Sequence, residues 1–109
     1  MKPNYYIALS TCPNPGVATQ LSQSIVEQQL AACVNIIPAI QSIYQWQGKI
    51  MQDNESLLIM KTQQQQLAAL ELFIQEHHPY EVPEFITLTI DSGAKAYLDW
   101  ITASLNKNV

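Results

Sequence analysis

The sequence contains no arginine, and its five lysines stand apart at positions 2, 49, 61, 95 and 107. Nine acidic residues outnumber them and give a formal net charge of −4 at pH 7. Nucleic-acid binding depends on clustered basic side chains that displace counterions from phosphates, so no nucleic-acid partner is expected. Long apolar runs are missing too: none approaches the roughly 20 residues of a membrane-spanning helix, so no membrane partner is expected. The start, Met1-Lys2-Pro3-Asn4, has one positive charge, and the apolar residues after it are broken by Ser10, Thr11 and Pro13. That pattern is not a secretory leader, and a cytoplasmic location is expected. Cysteine is limited to Cys12 and Cys33, far apart and outside any CxxC pair. In that compartment they are expected to be free thiols rather than a disulfide. No GxSxG, Walker or HExxH string occurs, and no nucleophile has an evident base beside it, so the chain is not expected to be an enzyme.

What is present points to a packed core. Hydrophobic residues make up 48% of the 109, enough for one domain over residues 1–109 without disulfides or a structural metal. Tyr5 to Thr11 reads as a first strand, ended by Cys12-Pro13. Asn14 suits a helix N-cap and Pro15 the first helical position. Val17, Leu21 and Ile25 recur every fourth residue, which predicts a helix from Pro15 to about Leu30. Ala32 to Thr62 reads as one long hairpin, turning at Gln47-Gly48-Lys49. Bends or bulges are expected at Pro38 and at Gln52-Asp53-Asn54, where the return strand should break. Thr62 and Gln65 have capping-box spacing for a second helix with Leu67, Leu70, Phe73 and Ile74 buried, stopped by Pro79. Phe85 to Ile90 is the last strand, and Ser92 a cap for a final helix carrying Ala94, Tyr97, Leu98, Ile101 and Leu105.

The order is βαββαβα. Right-handed crossovers make each βαβ pair parallel with another strand between them. The natural closure is an α+β, ferredoxin-like fold: a four-stranded antiparallel sheet with helices on one face, an extended β-hairpin and a C-terminal helix. So long a hairpin leaves edges that need cover, which further copies of the chain in a closed ring would supply.

Five segments in order resemble the CutA divalent-cation-tolerance family: Leu30-Ala31-Ala32-Cys33-Val34-Asn35; Ser42-Ile43-Tyr44-Gln45-Trp46-Gln47-Gly48-Lys49-Ile50; Glu55-Ser56-Leu57-Leu58-Ile59-Met60-Lys61-Thr62; His78-Pro79-Tyr80-Glu81-Val82-Pro83-Glu84; and Tyr97-Leu98-Asp99-Trp100-Ile101. The last strand, Ile86-Thr87-Leu88-Thr89-Ile90, departs from the proline common there in that family. The resemblance implies a homotrimer similar in architecture to P-II signalling proteins, binding of Cu(II) or another divalent cation, and a role in metal-ion tolerance.

The topology sorts the candidate residues. The end of the first strand and the loop after the second helix share one end of the sheet, so Cys12, His78, Glu81 and Glu84 form the candidate metal set. Thiolate, imidazole and carboxylate together suit copper or zinc, although the spacing matches no structural-zinc pattern. Cys12 is equally readable as a packed thiol. His78 is equally readable as a hydrogen-bonded loop residue, and the two glutamates as interface or solvent carboxylates. Cys33 belongs at the opposite end, roughly 20 Å away by strand rise. Tyr44, Trp46 and Tyr80 are expected to pack between subunits or to wall an inter-subunit pocket. Lys61 would hold an anion there or pair with Glu55. A P-II-like trimer that binds an anionic metabolite or a partner protein between subunits is the alternative function.

Overall fold

A computed structural model describes residues 4–106 of the chain. Four antiparallel strands form one sheet: β1 (Tyr5–Cys12), β2 (Cys33–Trp46), β3 (Lys49–Gln63) and β4 (Ile86–Thr89), in the order β2-β3-β1-β4. Helices α1 (Pro15–Glu27) and α2 (Leu67–His77) follow β1 and β3, and α3 (Lys95–Ser104) follows β4. This is the α+β ferredoxin-like arrangement expected from the element order.

Side chains alternate across each strand, so residues of one parity share a face. Ala8, Ser10 and Cys12 of β1 and Ser56, Leu58, Met60 and Thr62 of β3 lie under the helices and are buried. Ala18, Leu21 and Ile25 of α1 and Leu70, Phe73 and Ile74 of α2 close over them as the main core. Each fully buried Leu or Ile there contributes about 1.5–3 kcal/mol relative to exposure. A smaller cluster of Ala32, Ile101 and Leu105, with Tyr5 and Leu98 beside it, seats α3 at the lower end of the sheet. The Thr102 hydroxyl ties it down, 2.6 Å from the Tyr5 hydroxyl and accepting from Gln63 Nε2 at 2.8 Å.

The helix ends follow the sequence signals in part. Asn14 Oδ1 accepts from the Val17 N–H at 2.9 Å, with Pro15 opening α1. The helix stops at Glu27, short of Leu30, because Gln29 takes a left-handed φ of 57°. Its N–H donates to Val26 O and that of Leu30 to Ile25 O, both at 3.0 Å, the Schellman pattern that satisfies the last carbonyls. Thr62 does not cap α2. It remains in β3, its hydroxyl donating to Leu30 O at 2.7 Å, and a single 3-10 turn (Gln64–Gln66) precedes the helix. Ser92 does not cap α3; Ala94 occupies that position, without a side-chain cap.

The hairpin also differs from expectation at one place. The register slips between Ile37↔Leu57 and Ile40↔Glu55, so Pro38 does sit in a bulge, its carbonyl accepting from Ser56 Oγ at 2.8 Å. Gln52-Asp53-Asn54 does not break β3, because Ile43, Ser42 and Gln41 pair with these three residues across the ladder. Polar side chains are no obstacle to a strand whose faces at that height are open to solvent. At the tip Gln47 and Gly48 have φ of 51° and 80° between the paired Trp46 and Lys49, the two-residue turn whose twist matches its strands.

One face of the sheet is left without α1 and α2, and α3 covers only its lower end. Ile7, Leu9, Leu57 and Ile59 are only half-buried there, while Ile37, Ile86 and Leu88 are 41%, 52% and 53% exposed. The hairpin adds Trp46, 61% exposed, to that face, and carries Ile43 at 64% and Ile50 at 73% on its other side. Soluble monomers rarely expose so continuous an apolar surface.

Gln29→Gly tests the helix stop. A left-handed non-glycine residue costs about 1–2 kcal/mol, partly offset by glycine's greater freedom in the unfolded chain. The variant should unfold at a higher temperature than the parent, with a net gain of about 0.5–1 kcal/mol; a lower midpoint in calorimetry would contradict the assignment.

Candidate functional site

The upper end of the helix-free face forms a groove of about 540 Å³. Its floor is made by strand residues that share one face: Thr11 from β1, Tyr44 and Trp46 from β2, Met51 and Glu55 from β3. The wall is the loop after α2, through Tyr80, Glu81, Val82 and Glu84. The structure thus brings Tyr44, Trp46, Tyr80, Glu81 and Glu84 together, and adds Glu55.

His78 explains why the loop stands where it does. It is buried, 8% exposed, at the end of α2. Its Nε2 lies 2.7 Å from Thr11 O, which can only accept, so this nitrogen carries the hydrogen. Its Nδ1 accepts the Tyr80 N–H at 3.0 Å. Both ring nitrogens are therefore used by the backbone, and in this arrangement neither lone pair is offered to a metal. The Tyr80 ring rests against His78 with centroids 4.7 Å apart, and its hydroxyl donates to Glu55 Oε2 at 2.9 Å. Tyr44 donates likewise to Asp53. Burial, then the bond to Glu55, pushes the Tyr80 phenol above its ordinary range; for Tyr44 the bond to Asp53 is the leading cause of the same direction.

Cys12 shares this end but not this face. It is fully buried under the helices, and burial, followed by the charge of Glu55, raises its thiol to about 11. At neutral pH it is a protonated core thiol. Lys61 lies at the opposite end of the sheet, paired across the ladder with Cys33 and donating to Asn35 Oδ1. Six strand residues, roughly 20 Å, separate it from Glu55, so Lys61 neither pairs with Glu55 nor reaches the groove. Both cysteines are free.

Among the described residues, no three His, Cys, Asp or Glu side chains converge as ligands for a metal ion. The residues of one chain therefore do not by themselves fit a closed metal shell. Sequence reasoning missed the part of Glu55, Asp53 and Met51. Their alternation from Met51 to Glu55, opposite Tyr44 and Trp46, carried the signal, hidden by the break assumed at Asp53-Asn54.

Burial of Cys12 has two consequences. Iodoacetamide at pH 8 should modify Cys33 in the native protein and both cysteines in denaturant, read by mass spectrometry; equal native labelling would contradict the burial. A raised folded value means the protonated thiol favours the native state. Its contribution is complete below pH 9.0, the ordinary thiol value, and is lost as pH rises toward about 11. Denaturant midpoints of the parent and Cys12→Ala should therefore converge over that window.

Known proteins agree with this architecture. The family model described as CutA1 divalent ion tolerance protein matches residues 6–104. Protein CutA of Mus musculus is 49% identical over 94 residues, covering 86% of this chain and 53% of its own length. The chain thus spans about half the length of that relative. Divalent-cation tolerance protein CutA of Thermus thermophilus is 43% identical over 95 residues, covering 87% of this chain and 92% of its own. The solved structure of CutA from Synechococcus elongatus PCC7942 matches with a TM-score of 0.92 at 41% identity, covering 96% of this chain and 93% of that one. A relative from Arabidopsis thaliana is called chloroplastic and a structure from Archaeoglobus fulgidus periplasmic. With a family match over residues 6–104 and a fold shared with solved members over nearly its whole length, the chain belongs to the CutA1 divalent ion tolerance family.

Proposed function

We propose that this chain acts in divalent-cation tolerance as a non-catalytic cytoplasmic homotrimer of one domain per subunit. It binds Cu(II) or another divalent cation where subunits meet. The observation that carries the reading is the groove: Glu55, Glu81 and Glu84 line it, and among the described residues no basic side chain does. Carboxylates draw a divalent cation in, and several oxygen donors are needed to hold it. One chain offers too few converging donors, so the shell is completed by side chains of adjacent copies. The exposed apolar face and hairpin tip support such an assembly. Glu81 and Glu84 are the donors most open to the ion. His78 anchors the loop and would join only if the loop opened and freed its ring, whereas Cys12, on the helix side of β1, would join only if the core rearranged as well. The same acidic lining repels the anionic metabolite of a P-II-like reading. The names of the relatives, which tie the family to divalent-cation tolerance, favour the cation as well.

Isothermal titration of Cu(II) into the parent, the Glu81→Gln/Glu84→Gln double variant and His78→Ala tests this reading. The double variant should bind about tenfold more weakly or worse, since two charged donors are lost. His78→Ala should weaken binding too, by letting the Tyr80 loop move. Unchanged affinity in the double variant would remove the groove from the metal reading.

A further inference from the structure

We propose that the groove at the hairpin end binds a small organic cation of the alkylammonium class, a ligand beyond the divalent metal considered above. Three aromatic side chains, Tyr44, Trp46 and Tyr80, face one space of about 540 Å³. That is far more room than a single ion needs, and it falls within the roughly 300–1,000 Å³ of small-molecule sites. Aromatic faces attract cations through the ring quadrupole, most strongly for Trp.

Two features sharpen the preference for a cation. The phenol of Tyr80 donates its hydrogen to Glu55, and that of Tyr44 to Asp53. A phenol that donates to a carboxylate pushes electron density into its ring, which strengthens the attraction, and the bond fixes the ring's position. Glu55, Glu81 and Glu84 add negative charge around the same space, and among the described residues no lysine lines it to cancel that charge. Lys49, cross-strand from Trp46, is the basic residue nearest in register and does not line the groove.

The geometry also separates the two kinds of cation. A metal ion needs donors that converge within bonding distance, and no three such groups do so among the described residues. An alkylammonium spreads its charge over a surface of C–H groups. It needs faces and a field rather than directed lone pairs, and the groove supplies both.

The test uses the full chain in its native assembly after treatment with a chelator. The sequence has two tryptophans, so a Trp100→Phe background leaves Trp46 as the sole reporter. Choline and its uncharged isostere 3,3-dimethylbutan-1-ol are titrated while Trp46 emission is followed, with calorimetry alongside. Choline should give a saturable change, and the isostere should bind about tenfold more weakly or worse, since the two differ in charge rather than shape. Tyr80→Leu and the conservative Glu55→Gln, each checked for native circular dichroism, should both weaken choline binding. No saturable response to choline, equal binding of the isostere, or affinity indifferent to both substitutions would each overturn the proposal. Copper titration of the same sample keeps the readings apart: copper binding without choline binding sinks this inference alone, whereas choline binding without copper binding supports it and removes the metal reading.

Discussion

Strands β1 and β3 are apolar on both faces, and one chain has helices enough for only one of them. Ala8, Leu58 and Met60 are fully buried under α1 and α2. Their neighbours Ile7, Leu9, Leu57 and Ile59 point the other way and are only partly covered. Burial of apolar area is the dominant favourable term in both folding and association. The uncovered face therefore holds a large stabilisation that a single chain cannot collect. α3 reaches only its lower end, held by Thr102 between Tyr5 and Gln63. The hairpin carries the same imbalance farther out, with Ile43 and Ile50 on one side and Tyr44 and Trp46 on the other.

The groove follows from this constraint. An exposed apolar face lies beside an acidic loop at its upper rim, so the groove between them is aromatic at its base and negative at its edge. His78 makes the arrangement firm. By joining Thr11 of β1 to Tyr80 of the loop, it fixes the wall relative to the floor. Tyr80 then reaches Glu55 across the opening. Cys12 beneath contributes packing, and its neutral thiol suits a site whose net field is already negative.

Much of this was legible in the sequence because local signals agreed with the fold. Asn14-Pro15 marked the start of α1, Pro38 the bulge and Gln47-Gly48 the turn, each through a backbone requirement that needs no tertiary information. Where the reading went astray, a tertiary contact decided. Thr62 has the spacing of a cap, but its hydroxyl is taken by Leu30 O, thirty-two residues away in the chain. Gln52-Asp53-Asn54 reads as a loop, yet it is held in β3 by its partner strand. At the site, topology correctly put Cys12 and the His78–Glu84 loop at one end. Alternation alone would have shown that Cys12 faces the helices while Glu55 faces the loop. The need to cover a second face was also visible, since Ile7-Ala8-Leu9 and Leu57-Leu58-Ile59-Met60 are apolar at both parities, the mark of strands buried on two sides.

Association through that face is the central claim, and sedimentation equilibrium of the purified chain at micromolar concentration tests it most directly. The account predicts a single species of about three times the 12.3 kDa chain mass, undiminished on dilution and broken down by Leu88→Lys or Ile37→Lys on the uncovered face. A stable monomer that keeps its native circular dichroism would contradict it.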